Sequence, residues 1–289
     1  MIVQEHDKMG KIKDVYEPLA DDQELTLMQY SYKKFFSAHR RTNRFFGIVV
    51  ILLFAYMLRC YLWFQEPTLS RDGTYYLLQA KGERVADYPL PHGKQAPLFP
   101  AILRKMYLCG IDPQKGGIIL NIMCSTALCS VVWGTCRYLR LNSFWSLFCT
   151  FLIAVHPEYV RCSHELQRES LYLFFSGIAV FMAIINMQTT SRKEKWLTAL
   201  GFGFAGATAV ATRYEGWELF LFFIGCQLYV ILKNKQYNAK CLLKYFNNLG
   251  IMIVSWSLSM VLILQLSNYP VFYYFEIMLR HIQKIKFGL

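Results

Sequence analysis

Three stretches of this 289-residue sequence gather acids and bases between long apolar runs. The first begins Ser70-Arg71-Asp72-Gly73-Thr74-Tyr75-Tyr76 and continues through His92-Gly93-Lys94-Gln95-Ala96-Pro97. The second, His156 to Ser170, holds Glu158, Arg161, His164, Glu165, Arg168 and Glu169; the third is Thr212-Arg213-Tyr214-Glu215-Gly216. Asp72, Glu165, Glu169 and Glu215 are acids, and Lys94, Arg161, Arg168 and Arg213 are cations, so the set can pair within itself or bind something charged. His156 and His164 beside Glu158 and Glu165 are metal-ligand types. They lack HExxH or comparable spacing, and no metal or other cofactor is expected.

The elements that must position these residues are membrane spans. The chain is 55% hydrophobic and 17% charged, below the quarter usual for soluble domains. Residues 1–44 form a polar N-terminal tail, and the first apolar run starts at Phe45, too late for a cleaved signal peptide. A span needs about 20 mostly apolar residues. Seven candidates follow, near 45–64, 115–136, 143–157, 170–188, 196–212, 216–232 and 247–267, with the third the shortest. The fifth is rich in Gly and Ala and is expected to pack inside the bundle. Arg59 is expected to snorkel out of the first span without further role, and Asn121 to act as interhelical glue. The expected fold is all-α, a polytopic helix bundle over 45–267 with an amphipathic tail at 268–289.

Basic residues set the orientation. Lys33, Lys34, Arg40, Arg41 and Arg44 precede the first span; Arg137 and Arg140, then Arg192, Lys193 and Lys195, then Lys233, Lys235, Lys240 and Lys244 fill alternate connections. The positive-inside rule puts these and the N-terminus in the cytoplasm. The three acid–base stretches then share the outer face. The first outer loop, 65–114, is long, shaped by Pro and Gly, and contains PLFPAILRKMYLCG, which reads as an interfacial helix. Charges at a membrane boundary persist when they pair or bind something charged. The net charge of +12 is accounted for by orientation and lipid headgroups, with no motif for nucleic acid. The nine cysteines include no CxxC pair; most sit inside apolar runs as small hydrophobes, and Cys109 and Cys162 are the pair that could meet on the outer face.

In their order these motifs resemble the GT-C membrane glycosyltransferases, in particular the protein O-mannosyltransferase and aminoarabinose transferase group. The similar features are Arg71-Asp72-Gly73-Thr74-Tyr75-Tyr76 after the first span, Gly82, and the turn Gln95-Ala96-Pro97-Leu98-Phe99-Pro100 before a lateral helix. Pro157, Arg161, Ser163, Glu165 and Glu169-Ser170-Leu171 follow, then Arg213, Glu215 and Gly216, so the resemblance covers about residues 45–235. Two features depart from that group: Gly73 stands where many relatives have a second acid, and many relatives are longer. The resemblance implies transfer of a sugar from a polyprenyl-phosphate donor to a lipid, glycan or protein acceptor by inverting displacement. Asp72 is the implied base. Lys94 and Arg213, then Arg168, Arg161 and His92, are the implied phosphate ligands; Glu165, Glu169 and Glu215 are acceptor-binding or structural acids. The implied setting is a multi-pass protein of a bacterial inner membrane or the endoplasmic reticulum. A transporter or flippase of a lipid-linked intermediate, or a non-catalytic assembly subunit, is the alternative reading; a transporter calls for polar groups near the midplane or an internal repeat.

Overall fold

A computed structural model describes residues 46–65, 69–82, 96–234, 239–268 and 270. All but Phe46 belong to one unit, Gly47–Leu289. The polar N-terminal tail, the 268–289 tail apart from Asn268 and Pro270, and the loop residues His92 and Lys94 lie outside the described residues.

The described chain is helical, without strands. α1 (Phe46–Gln65) is followed by α2 (Arg71–Lys81), α3 (Leu98–Leu108), α4 (Pro113–Tyr138), α5 (Ser143–Val155) and α6 (Pro157–His164). α7 (Glu169–Gln188), α8 (Arg192–Thr212), a 3-10 turn (Tyr214–Trp217), α9 (Glu218–Asn234) and α10 (Ala239–Leu266) complete it. Helix starts follow local capping chemistry. The side chains of Asp112, Asn142 and Ser191 accept from the backbone N–H of Gln114, Trp145 and Glu194, satisfying donors that the helix cannot.

Five helical segments have the length and apolarity to cross a membrane: Phe46–Gln65, Pro113–Tyr138, Glu169–Gln188, Tyr214–Lys233 and Leu242–Leu266. Large apolar side chains on them stand exposed, among them Leu53, Met57, Met123, Leu221, Leu228, Leu258 and Leu262. Such a surface suits lipid rather than water, and the chain is a multi-pass membrane protein. The other two expected spans differ from these five. α5 has 13 residues, a length of about 20 Å against a hydrocarbon core of about 30 Å. The chain breaks at His156-Pro157 and resumes as α6. α8 has 21 residues, but it opens on Arg192-Lys193-Glu194-Lys195 and is built of Gly and Ala. Its composition suits burial: Phe202, Ala205, Ala207, Ala209, Val210 and Ala211 are buried, and it packs between α7 and α10. A Cβ at Gly203 would lie 2.7 Å from the Met252 carbonyl oxygen of α10, so only glycine permits this approach. The expectation that this segment is interior is met.

The expectation for Arg59 is overturned. It does not snorkel; it is fully buried. Its Nε donates to Ser125 Oγ on α4 at 2.9 Å, and its Nη1 donates to the carbonyls of Ala55 at 2.9 Å and Ala154 of α5 at 3.0 Å. Position 59 faces the short α5, whose end at Ala154 offers carbonyls that no helical turn consumes. The guanidinium thereby ties α1, α4 and α5 together.

A second polar tie has Asn186 at its centre. Its amide donates to the Lys195 carbonyl at 2.8 Å and Thr198 Oγ1 at 2.9 Å. Its oxygen accepts from Gln227 Nε2 at 3.0 Å and Asn248 Nδ2 at 2.7 Å. One side chain thus joins α7, α8, α9 and α10 without an ionised group. Asn186→Leu leaves at least two of those partners unsatisfied in the interior. It should destabilise the bundle by about 2 kcal/mol, from typical costs of orphaned polar groups. Thermal unfolding in detergent checks this; a midpoint equal to that of the wild type would remove the network from the list of stabilising contacts.

Candidate functional site

The part of the first acid–base stretch that begins at Ser70 is a helix, where a loop is expected. Ser70 caps α2, its Oγ accepting from Gly73 N at 3.0 Å, and Gly82 ends the helix in the left-handed region at φ 79°. Ser70, an acid in the first turn and Gly82 twelve residues on form a complete set of helix boundaries, a signal legible in the sequence. Asp72 occupies that first turn. Its carboxylate is exposed and forms no hydrogen bond or ion pair among the described residues. The helix expected near the end of the 65–114 segment is present as α3. Tyr76 is buried one turn after Asp72 and meets Phe99 of α3 edge-on, ring centres 5.2 Å apart.

Position 73 has room only for glycine. A Cβ there would lie 2.9 Å from the carbonyl oxygen of Leu166 and 3.1 Å from its Cβ. Leu166 is fully buried in the cluster formed by Tyr76, Phe99 and Leu103. No side chain fits between α2 and this backbone.

The second stretch is also more helical than expected. α6 carries Glu158 and Arg161, with Glu165 at its end. Arg161 pairs with Glu158, its Nε at 3.1 Å from Oε2, and with Glu165 at 3.2 Å. The hydrogen bond to Arg161 holds Glu158 below the usual carboxylate range, and its counterpart raises Arg161. This ladder is exposed and satisfied along its own helix, a geometry of small energetic worth. His164 is buried, its Nδ1 3.0 Å from the Val160 carbonyl oxygen. Cys162 is buried and free, its thiol pushed up to about 11 by burial, while Cys109 is exposed and free; the two do not pair.

Residues 165–168 leave the helix, and Asn121 of α4 holds them. Its Nδ2 donates to the carbonyls of Glu165 at 3.0 Å and Gln167 at 2.6 Å. Asn121 is therefore interhelical glue, as expected. The same turn delivers Arg168 and Glu169 to the head of α7.

The third stretch meets them there. Arg213 leaves α8 in an extended conformation. Its Nη1 lies 3.3 Å from Glu169 Oε1, its Nη2 3.2 Å from Glu215 Oε1 and its Nε 3.4 Å from Glu215 Oε2. The guanidinium lies over the Tyr172 ring at 5.5 Å. Burial opposes its charge, but the hydrogen bond to Glu215 and the nearness of Glu215 and Glu169 prevail, and its pKa is raised. Arg168 is different. Its Nε is buried without a hydrogen-bond partner, and no carboxylate among the described residues pairs with it. Tyr76 ties the three stretches into one neighbourhood: its phenol, pushed up chiefly by burial, feels the charges of Arg168, Glu169, Asp72 and Arg213.

Asp72, Arg168, Glu169 and Arg213 thus lie near Tyr76, and Glu215 joins them through its ion pair with Arg213. Arg161, Glu158 and Glu165 form a separate ladder. Sequence reasoning missed Tyr76 as the common neighbour, although its place one turn after Asp72 is the available signal. Among the described residues no cluster of His, Cys, Asp or Glu has the form of a metal site. The site can hold a proton acceptor and an unpaired cation within one small region. Gly73→Ala should lower thermal stability by about 1–3 kcal/mol, the usual cost of an overpacked contact. The opposing atom is a main-chain oxygen that cannot rotate away. Unchanged unfolding in detergent would contradict this contact. No protein-family model matches the sequence, and it matches no curated protein.

Proposed function

We propose that the chain is a membrane glycosyltransferase using a polyprenyl-phosphate sugar, with the Asp72–Arg168–Arg213 neighbourhood as its active site on the outer face. The observation that carries this reading is the difference between its charged groups. Among the described residues Asp72 is exposed and unpaired, Arg168 pairs with no carboxylate, and Arg213 is held between two carboxylates.

The chemistry follows from those differences. An acceptor hydroxyl or amine attacks the anomeric carbon; its new bond forms as the bond from that carbon to the phosphate oxygen breaks. Asp72 takes the acceptor proton. The electron pair leaves on the lipid phosphate, whose added charge calls for a cation rather than an acid. Arg168 is the better candidate for that cation than Arg213. Arg213 already spends its donors on Glu169 and Glu215, and its role is to hold α7 and the 3-10 turn in register. Lys94 and His92 remain candidates for the phosphate, and membrane lipids surround the site. The acceptor belongs to the lipid, glycan or protein classes. Displacement in one step inverts the anomeric configuration.

The transporter reading gains little from the interior. Arg59 and the Asn186 network are buried polar groups, but their donors and acceptors bridge neighbouring helices rather than line a passage. Asp72→Asn should reduce transfer from a polyprenyl-phosphate sugar by about 10²–10⁴-fold, the usual contribution of a general base. Inserted protein level should stay at that of the wild type, because the residue is exposed. Arg168→Ala should lower turnover by about 10²-fold, as loss of a charge-stabilising donor does. Arg213→Ala should lower thermal stability as well as turnover, since Glu169 and Glu215 then face each other unscreened. Wild-type transfer by the Asp72 variant, in a radiolabelled-sugar assay on membranes, would overturn the catalytic assignment.

A further inference from the structure

At the other end of the bundle, α7 and α9 finish and α8 and α10 begin. The described side chains there include the cations Arg192, Lys193, Lys195, Lys233 and Lys244 and the acid Glu194. Glu194 is already engaged, accepting a hydrogen bond from the Thr189 hydroxyl. The cations are therefore in excess, and their surroundings differ from one to another. Arg192 lies over Trp196 at 4.6 Å and Lys233 over Tyr229 at 5.7 Å. Both rings are themselves exposed, the arrangement of aromatic anchors at headgroup depth.

Lys195 is the exception. It is 7% exposed. Its stem is packed into the interior, its carbonyl accepts from Asn186, and its ammonium lies over the Tyr245 ring at 5.3 Å. No carboxylate among the described residues pairs with it. Burial first, and the positive charge of Lys244 second, push it below the usual lysine range. Two lysines that oppose each other's charge, one of them buried, are stabilised by an anion that touches both.

The anion must arrive on a hydrophobic body. The residues that follow Lys195 on α8, Trp196 and Leu197, are exposed. So are Leu243 and Phe246, which flank Lys244 on α10. A soluble phosphate would leave these side chains uncovered, whereas acyl chains would lie along them.

We propose that Lys195 and Lys244 form a binding site for the phosphate headgroup of an anionic phospholipid, its chains resting on Trp196, Leu197, Leu243 and Phe246. The site is separate from the Asp72 neighbourhood and does not depend on a transferase reading. Headgroup binding here would clamp the start of α8 to the start of α10, directly beside the Asn186 network.

The test uses the full chain purified in neutral detergent. Phosphatidylglycerol or phosphatidylcholine is titrated in, and retained lipid is counted by native mass spectrometry beside the thermal unfolding midpoint. The expected result is preferential retention of phosphatidylglycerol and a higher midpoint with it. Lys244→Ala and Lys195→Gln should each weaken that retention by about fivefold, from the typical contribution of one lysine near an anionic surface. Lys244 is exposed, so its variant tests the site without threatening the fold. Lys105→Ala, an exposed lysine of α3, should change nothing. Equal retention of the two lipids would overturn the proposal, as would full preference in both lysine variants. A midpoint shift from inorganic phosphate as large as that from phosphatidylglycerol would also overturn it, by showing that no lipid is required.

Discussion

The site rests on the two hydrogen bonds of Asn121. Between α6 and α7 the chain must leave one helix, turn, and start another within four residues. The carbonyls of Glu165 and Gln167 face away from any helical ladder, and a buried carbonyl without a donor costs free energy comparable to a lost hydrogen bond. Asn121 of α4 donates to both, joining the Gln167 N–H at the Glu165 carbonyl. Capturing Glu165 and Gln167 forces the intervening Leu166 inward, into the cluster of Tyr76, Phe99 and Leu103. The Leu166 carbonyl then abuts α2 so closely that position 73 has room only for glycine. One amide thus fixes where Asp72 lies relative to Arg168 and Glu169, although it touches none of them.

Electrostatics completes what this turn begins. Arg213 joins Glu169, at the head of α7, to Glu215, just beyond α8. The two carboxylates come from segments distant in sequence, yet they share one guanidinium that offsets their mutual repulsion. Partial burial makes this arrangement stiffer than the exposed Arg161 ladder, where solvent weakens each pair. A cation so engaged is a scaffold. Arg168, adjacent in sequence to Glu169, pairs with no carboxylate among the described residues, and its Nε is buried without a hydrogen bond.

Much of this was legible before any coordinates. Length and apolarity mark the spans, and the five strongest emerge as long apolar helices within a few residues of their expected ends. The Gly and Ala content of α8 announces an interior helix. The charged stretches that share an end of the bundle are the ones singled out by residue type. Other features were not legible because they depend on partners distant in sequence. Arg59 is followed by aromatic residues and reads as a snorkelling side chain; only the packing of α5 against α1 shows that carbonyls await it inside. Asn186, Gln227 and Asn248 lie on three different helices, and none is remarkable alone. The pairing that occupies Arg213 likewise depends on a contact between residues 169 and 213. Around Asp72 the local signal is helical, bounded by Ser70 and Gly82, while the prolines and glycines that shape the loop stand further along.

The polar interior and the membrane surface are linked by one constraint. Helices surrounded by lipid gain little from burying apolar surface against one another, so close small-residue contacts and hydrogen bonds must hold them. This bundle uses both on α10, where Gly203 of α8 admits the α10 backbone and Asn186 of α7 accepts a hydrogen bond from Asn248. At the Asn186 end the hydrogen-bonding groups are neutral and mutually satisfied, so the helices are held without an ion. At the Arg213 end they are charged: one guanidinium is shared by Glu169 and Glu215, so the segments there are held by ion pairs that must give up water to form.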